Sequence, residues 1–258
     1  MQLAFNDNGP GPVVVLLHGF PLDRTMWASQ VEAISCRYRV VTPDLRGLGT
    51  SCAPEGIYPM EDMANDVLEL LDTLRINEPV ILGGLSMGGY VALAFAVRNP
   101  KRLRALILMD TRAGADTPEG AKVREENAKK IEADGNVDRL VESMSPKLFG
   151  KSTRERDPGL IARVEDRMRR SNPRGAAGAL SGMAARPDRS ADLSRLTLPT
   201  LVLVGREDEL TPPSESERMA QALPNSRYVE IPNAGHLAPL ENPQAVNEAL
   251  LSFLDSLA

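Results

Sequence analysis

PVILGGLSMGGYVALAF, residues 79–95, is the stretch around which the rest of the chain is organised. Val80, Ile81 and Leu82 form a short apolar, β-branched run, and a glycine cluster holding one serine follows. Tyr90, Val91, Leu93, Ala94 and Phe95 then give an apolar helical pattern, so the stretch reads as strand, sharp turn and buried helix. At its centre Gly84-Leu85-Ser86-Met87-Gly88 is a G-x-S-x-G. Such a turn holds its serine in a strained backbone conformation, and the flanking glycines let strand and helix approach closely while the hydroxyl projects outward. Ser86 is therefore a candidate nucleophile. A purely structural glycine turn is the alternative, and what separates the two is whether a base and an acid accompany the serine.

On either side of this stretch, buried-strand signals alternate with helical ones. Val13 to Leu17 is a continuous β-branched and aliphatic run, as expected of a strand covered on both faces of a parallel sheet. Before it, Gln2 to Phe5 is a candidate short strand and Asn6 to Pro10 a candidate turn; after it, a helix is expected near Thr25 to Ile34 and a strand at Tyr38 to Thr42. A helix from about Met60 to Leu74 leads into residues 79–95, and Arg104 to Met109 is the next buried strand. Strand character returns at Leu198 to Gly205 and at Tyr228 to Ile231, and a last helix is expected from about Pro243 to Leu257. The pattern predicts an α/β fold with a doubly wound, mostly parallel sheet, whose site lies outside the carboxyl ends of the strands.

Between the strands the character changes. From Arg112 to Arg195 the β-branched runs vanish and 18 basic residues stand against 14 acidic ones, whereas the rest of the chain carries 12 and 21. Helical patterns at Ala121 to Ala133, Val137 to Met144, Leu160 to Arg170 and Arg174 to Ala185 are separated by breaks at Pro146, Pro158 and Pro173. The expected organisation is a core of residues 1–111 and 197–258 with a helical cap, 112–196, inserted after the sixth strand as a lid.

Composition narrows the function classes. With 258 residues and a net charge of -5, nothing points to nucleic acid, and a sizeable core can be buried. No apolar run approaches the roughly 18 residues of a membrane span. MQLAFNDNGPGP lacks the basic start and apolar middle of a signal peptide, so a cytoplasmic location is expected. Cys36 and Cys52 are not spaced as metal ligands, so no metal site is expected and each is read as a buried free thiol.

A serine hydroxyl needs a base within hydrogen-bond reach. The chain has two histidines: His18, directly after a buried strand, suits a structural role in its loop, and His236, after the last strand, is the candidate base. The base needs a carboxylate to fix its tautomer. Asp208, in the Gly205-Arg206-Glu207-Asp208 segment past a strand, is the first candidate and Asp110 the reserve; Glu207 and Glu209 are read as solvated. Donors for an oxyanion are the backbone N–H of Met87, free at the start of a helix, and that of Phe20 in the HGFP loop.

With these motifs in the order Ser86, Asp208, His236, the sequence resembles the α/β-hydrolase superfamily over nearly its whole length. LLHGFPLDRTMW, DLRGLGTS, GLSMGG, GREDELTP and NAGHLAPLENP each look like the corresponding family segment. It looks like the branch that holds 3-oxoadipate enol-lactonase-like proteins, cofactor-free haloperoxidase-type esterases and some acyl-homoserine-lactone-degrading esterases. The resemblance implies Ser86 as nucleophile, Asp208 as acid, His236 as base, Phe20 and Met87 as oxyanion donors, and no cofactor. It implies a serine carboxylic-ester hydrolase with lactones among its substrates, and if aliphatic residues of the insertion such as Leu140 and Met144 line the pocket, a small or medium aliphatic acyl group is expected. Enol-lactone hydrolysis, cofactor-free perhydrolysis and a ligand-sensing protein with little turnover are the alternatives. Leu48 stands where the family usually has a histidine, and the first family strand is cut short because 12 residues precede Val13.

The expected partner is a small-molecule ester or lactone, with neither nucleic acid nor membrane, in a monomer or small homo-oligomer. Leu140, Met144 and Phe149 are candidate pocket residues, with packing of lid helix on lid helix as their other use. Trp27 suits pocket wall and core equally. Arg163, Arg167, Arg169, Arg170 and Arg174 read as a solvated helix face; an anionic substrate would need one of these, or Arg112, turned inward.

Overall fold

The computed structural model describes residues 1–257. Seven strands form one sheet: β1 (Phe5–Asn8), β2 (Val13–Leu17), β3 (Arg39–Pro43), β4 (Val80–Leu85), β5 (Leu103–Met109), β6 (Thr200–Gly205) and β7 (Ser226–Ile231). Their order is β1-β3-β2-β4-β5-β6-β7, with β1 antiparallel to β3 and every other pair parallel. Every residue of β2, β4 and β6 is buried, as their apolar composition, interrupted only by Thr200, requires of strands covered on both faces.

The covering helices follow from period and caps. On the two faces lie α1 (Ala28–Ile34), α2 (Met60–Thr73) and α3 (Met87–Arg98). Helix α2 buries Met60, Met63, Ala64, Val67, Leu70 and Leu71, a stripe at helical spacing, and with them Asp66, which accepts from Arg46 Nη2 at 2.7 Å. Helix α3 is different, for it is buried on all sides from Met87 to Ala96. Between β5 and β6 the chain builds five helices: α4 (Pro118–Asp134), α5 (Asp138–Leu148), α6 (Lys151–Arg156), α7 (Pro158–Arg169) and α8 (Pro173–Ala184). After β6 come α9 (Pro213–Ala222), α10 (Ala238–Glu241) and α11 (Pro243–Asp255).

The sheet order positions the site. The chain leaves β2 for β3 on one side and later returns to β4 on the other, so β2 and β4 lie side by side with Leu17 opposite Gly84. The loops that follow these two strands therefore open a crevice at their carboxyl ends, the place where doubly wound sheets bind ligands. Phe20 follows β2 and Ser86 follows β4.

Several expectations are corrected. The first strand lies at 5–8, inside the expected turn: Asn and Asp are accommodated because β1 is an exposed edge strand, where Asp7 accepts from the Arg39 guanidinium at 2.7 Å across the pair. The helical insertion follows the fifth strand of this chain, one earlier than expected. Pro146 does not break α5; it sits two residues from the helix end, where few helical bonds remain to be lost. Pro158 and Pro173 each open a helix at its first position. Helices α6, α9 and α10 were not anticipated. Both cysteines are exposed free thiols, because Cys36 lies in the turn before β3 and Cys52 in the long loop before α2.

Candidate active site

Ser86 occupies the turn between β4 and α3 with φ 52° and ψ -111°, a left-handed conformation unusual for a side chain with a Cβ. The turn closes only because of its glycines. A Cβ on Gly84 would lie 2.1 Å from the carbonyl oxygen of Gly88, and one on Gly88 would lie 2.3 Å from that of Leu17. The serine backbone is pinned on both sides: its N–H donates to Met109 at 2.9 Å and its carbonyl accepts from the Thr111 hydroxyl at 2.8 Å.

The side chain of Ser86 meets His236, with Oγ 2.8 Å from Nε2. The other ring nitrogen of His236, Nδ1, lies 2.8 Å from Oδ2 of Asp208. An ionised carboxylate only accepts, so Nδ1 carries the proton and Nε2 is left to accept from the serine hydroxyl. Asp208 is fully occupied. Its Oδ1 accepts from the backbone N–H groups of Leu210 at 2.8 Å and Thr211 at 3.0 Å, and its Oδ2 accepts from the Thr211 hydroxyl at 2.6 Å. Burial by itself would raise the Asp208 carboxyl, but the charge and hydrogen bond of His236, with those of Thr211, outweigh it and hold the pKa below the ordinary value.

Asp110 does not touch His236. It accepts from the N–H of Gly205 at 2.7 Å and of Ala238 at 3.3 Å, tying the ends of β5 and β6 to the start of α10. Burial, then the nearby charge of Asp208, pushes its carboxyl well above the usual range. His18 also stays out of the constellation: its Nδ1 donates to Gly19 at 2.9 Å and its Nε2 accepts from Leu45 N–H at 2.9 Å. Leu48 is fully buried in the core.

A cavity of about 560 Å³ holds Ser86, His236 and Phe20 in its lining, together with Leu140 and Met144 from α5. Its volume falls in the range of small-molecule sites. Among the described residues, the N–H groups of Phe20 and Met87 are not spent on another backbone carbonyl. Two candidate pocket residues take the packing role that was their other expectation. Trp27 is wholly buried in the core, in a 3-10 turn that packs on β2, β3 and α10. Phe149 is buried beyond the cavity, at the turn whose backbone packs on Gly235.

The sequence reading passed over Thr211, which the spacing Asp-x-x-Thr after β6 signals as a local side-chain turn. Glu207 was read as solvated, yet it accepts the N–H of Ser152 at 2.8 Å and so holds the start of α6. Tyr90, Asp116 and Arg124 share the cavity lining with Arg112, and nothing in their local sequence marks them.

No cluster of three or more His, Cys, Asp or Glu side chains suited to a metal ion occurs among the described residues. Nor, among them, is any helix long and apolar enough to cross a membrane.

Comparison with known proteins places this geometry in a family. The model of the alpha/beta hydrolase fold matches residues 12–243, and the chain belongs to that family. A thermophilic esterase from Thermogutta terrifontis, solved with malate bound, superposes with a TM-score of 0.97 at 45% identity over 99% of this chain and 93% of that one. The enol-lactonase from Burkholderia xenovorans superposes with a TM-score of 0.89 at 32% identity, covering 98% and 96%. In sequence, 3-oxoadipate enol-lactonase 1 of Acinetobacter baylyi is 30% identical over 257 residues, 99% of this chain and 94% of that protein. The chain is thus an α/β hydrolase among relatives named for ester and lactone hydrolysis.

Proposed function

We propose that the chain is a serine carboxylic-ester hydrolase working through an acyl-enzyme. One observation carries the reading: an unbroken hydrogen-bonded line runs from Ser86 Oγ through His236 to Asp208, with 2.8 Å at each junction. Ser86 Oγ attacks the ester carbonyl carbon as its proton passes to His236 Nε2, and Asp208 stabilises the imidazolium so formed. The N–H groups of Phe20 and Met87 take the oxyanion, each such donor being worth about a hundredfold to a thousandfold in rate. His236 returns the proton to the departing alcohol. Water, activated by the same nitrogen, then attacks the acyl-enzyme; the acid leaves and Ser86 is restored. The residues at hand complete this cycle with no cofactor.

In this reading 1–111 and 197–258 are the catalytic core, and 112–196 is a cap that closes the cavity. Leu140 and Met144 contribute flexible aliphatic walls suited to a small or medium acyl group. Lactone opening is the same chemistry with the leaving alkoxide still tethered, and the enol-lactonases among the relatives make it the second activity to measure.

The test is a pH-controlled panel of p-nitrophenyl acetate through octanoate, acyl-homoserine lactones and a simple γ-lactone, with Ser86→Ala as blank. Multiple turnover in wild type and its loss in a folded Ser86→Ala are expected. Wild-type rates retained in that variant would sink the serine mechanism, and binding without turnover would make the protein a sensor.

A further inference from the structure

Within the cap, one carboxylate faces three guanidinium groups. Asp116 accepts from Arg112 Nη2 at 2.6 Å and from Arg124 Nε at 2.6 Å, and Arg186 Nη1 lies 2.9 Å from the same carboxylate. Burial alone would raise the Asp116 carboxyl; its bonds to Arg186 and Arg124 hold it at about 2, so it is ionised throughout the working range. Three positive charges against one negative leave two in excess. Asp116 matches one guanidinium, the buried Arg186, and the other two charges are left to be met by water or by a ligand.

The three arginines divide by what else holds them. Arg186, with its side chain 3% exposed, is fixed structurally: it donates to the carbonyls of Met183 at 2.9 Å and Gly114 at 3.1 Å and stacks 4.1 Å above the Tyr90 ring. Arg112 and Arg124 are only half-buried and line the same cavity as Ser86. Arg112, like Arg186, keeps a buried Nε without an acceptor but makes none of the carbonyl bonds that fix Arg186, and Arg124, beyond Asp116, meets only the weak acceptor Met183 Sδ at 3.6 Å. Each guanidinium has five N–H donors, so both retain unused ones. Lys147 and Glu119 lie in the same lining and offset each other in charge, leaving the surplus on the arginines.

We propose that Arg112 and Arg124 form a carboxylate-binding subsite beside Ser86, so that the preferred substrate is an ester or lactone carrying a free carboxylate elsewhere in the molecule. The half-ester of a short aliphatic dicarboxylic acid is the simplest member of that class. This rests on the hydrolase reading of Ser86. The substrate carboxylate accepts from the guanidinium N–H groups and takes no part in bond making or breaking; the ester bond alone is cleaved, water supplying OH to the acyl carbon and H to the alcohol. Because this contact is the same in ground and transition states, it lowers KM and leaves kcat alone. Charge-assisted hydrogen bonds of this kind give about a tenfold to hundredfold preference.

The experiment compares kcat/KM for monomethyl glutarate and for the neutral methyl hexanoate, at low and high salt, in wild type, Arg124→Gln, Arg124→Lys and Arg112→Gln. Wild type should prefer the half-ester well beyond the ratio of the two alkaline hydrolysis rates. Arg124→Gln and Arg112→Gln should each lower that preference about tenfold through KM, Arg124→Lys should retain part of it, and high salt should weaken it. Only the ratio is read, so a general loss of activity does not count as support. Calorimetric titration of wild type and Ser86→Ala with glutarate against glutaramide reads the subsite without turnover and needs no arginine variant. A half-ester preference no greater than the alkaline ratio, a preference unchanged in folded Arg124→Gln, or equal binding of glutarate and glutaramide would overturn the subsite. Absence of any hydrolysis by a wild type that still binds glutarate would instead overturn the hydrolase reading.

Discussion

The buried carboxylate of Glu241 accepts the backbone N–H of Gly150 at 2.8 Å, from a residue 91 positions away in the chain. Its other oxygen accepts from Gly235 at 2.9 Å and Leu237 at 3.0 Å, the two neighbours of His236. One side chain thus fastens the turn between α5 and α6 to the loop that carries the histidine. The N–H of His236 itself donates to Leu148 at 3.0 Å, so the same turn is held from both directions.

Glu241→Ala leaves three buried N–H groups without their acceptor. An unsatisfied buried donor costs about 1 to 3 kcal/mol, and partial refilling by water brings the expected loss to about 3 kcal/mol. Hydrolysis should fall with it, because His236 loses its anchor. Glu241→Gln keeps one acceptor oxygen and should lie between. A urea midpoint for Glu241→Ala within about 0.5 kcal/mol of wild type, the range of ordinary surface changes, would dismiss the clamp.

Thr211→Val tests how Asp208 is held. The substitution preserves shape and removes the hydroxyl that donates to Oδ2 at 2.6 Å. That bond is among the causes that lower the Asp208 carboxyl, so its loss raises the pKa and lets the protonated form persist to higher pH. Stability contributed by the Asp208 carboxylate should therefore be lost at a higher pH on acidification than in wild type, and the kcat/KM plateau should fall about tenfold. Asp208→Asn, which cannot hold the required tautomer, should cost about four orders of magnitude. An unchanged acid-unfolding profile and an unchanged plateau rate in Thr211→Val would show that the hydroxyl is dispensable.

What could be read from the sequence was what local chemistry dictates. The unbroken apolar runs at Val13–Leu17 and Val80–Leu85 have few uses other than buried parallel strands, and a serine between glycines at a strand end implies its turn. Placing Asp208 ahead of Asp110 rested on segment position, and the structure puts Asp208 against His236. Polar residues whose role depends on distant backbone were not legible. Glu207 and Glu241 look like surface acids until the turn between α5 and α6 arrives over them, and Asp116 and Arg186, 70 positions apart, meet through the packing of α8 on α4. Trp27 and Phe149 stayed open between two uses for the same reason: a large apolar side chain near a site fits core or wall until packing decides.

Gly88→Ala tests the turn. The added methyl would sit 2.3 Å from the Leu17 carbonyl oxygen, a backbone atom of the neighbouring strand that has no room to retreat. Soluble yield or Tm should fall sharply. Gly114→Ala is the control: nothing lies within 4 Å of its Cβ position, and its stability should stay within about 0.5 kcal/mol of wild type. Equal Tm for the two variants would remove the close-approach explanation.

His18 makes stability depend on pH in a direction that its hydrogen bonds fix. The ring is wholly buried, donates from Nδ1 to Gly19 and accepts at Nε2 from Leu45, so a second proton would set Nε2–H against the Leu45 N–H. Burial pushes its pKa below the ordinary value. In the unfolded chain the same group titrates at about 6.5, so between that value and the lowered folded one the unfolded state binds more protons. Stability contributed by neutral His18 is present above about pH 6.5 and declines as the pH falls through this window. His18→Gln, which can still offer an acceptor to Leu45, removes the titration. It should be less stable than wild type at neutral pH yet lose less between neutral pH and about pH 5, where urea midpoints are to be compared. All other titrating groups are common to both proteins, so the difference in slope isolates His18. Identical slopes would mean that the ring is free to accept its second proton in the folded protein.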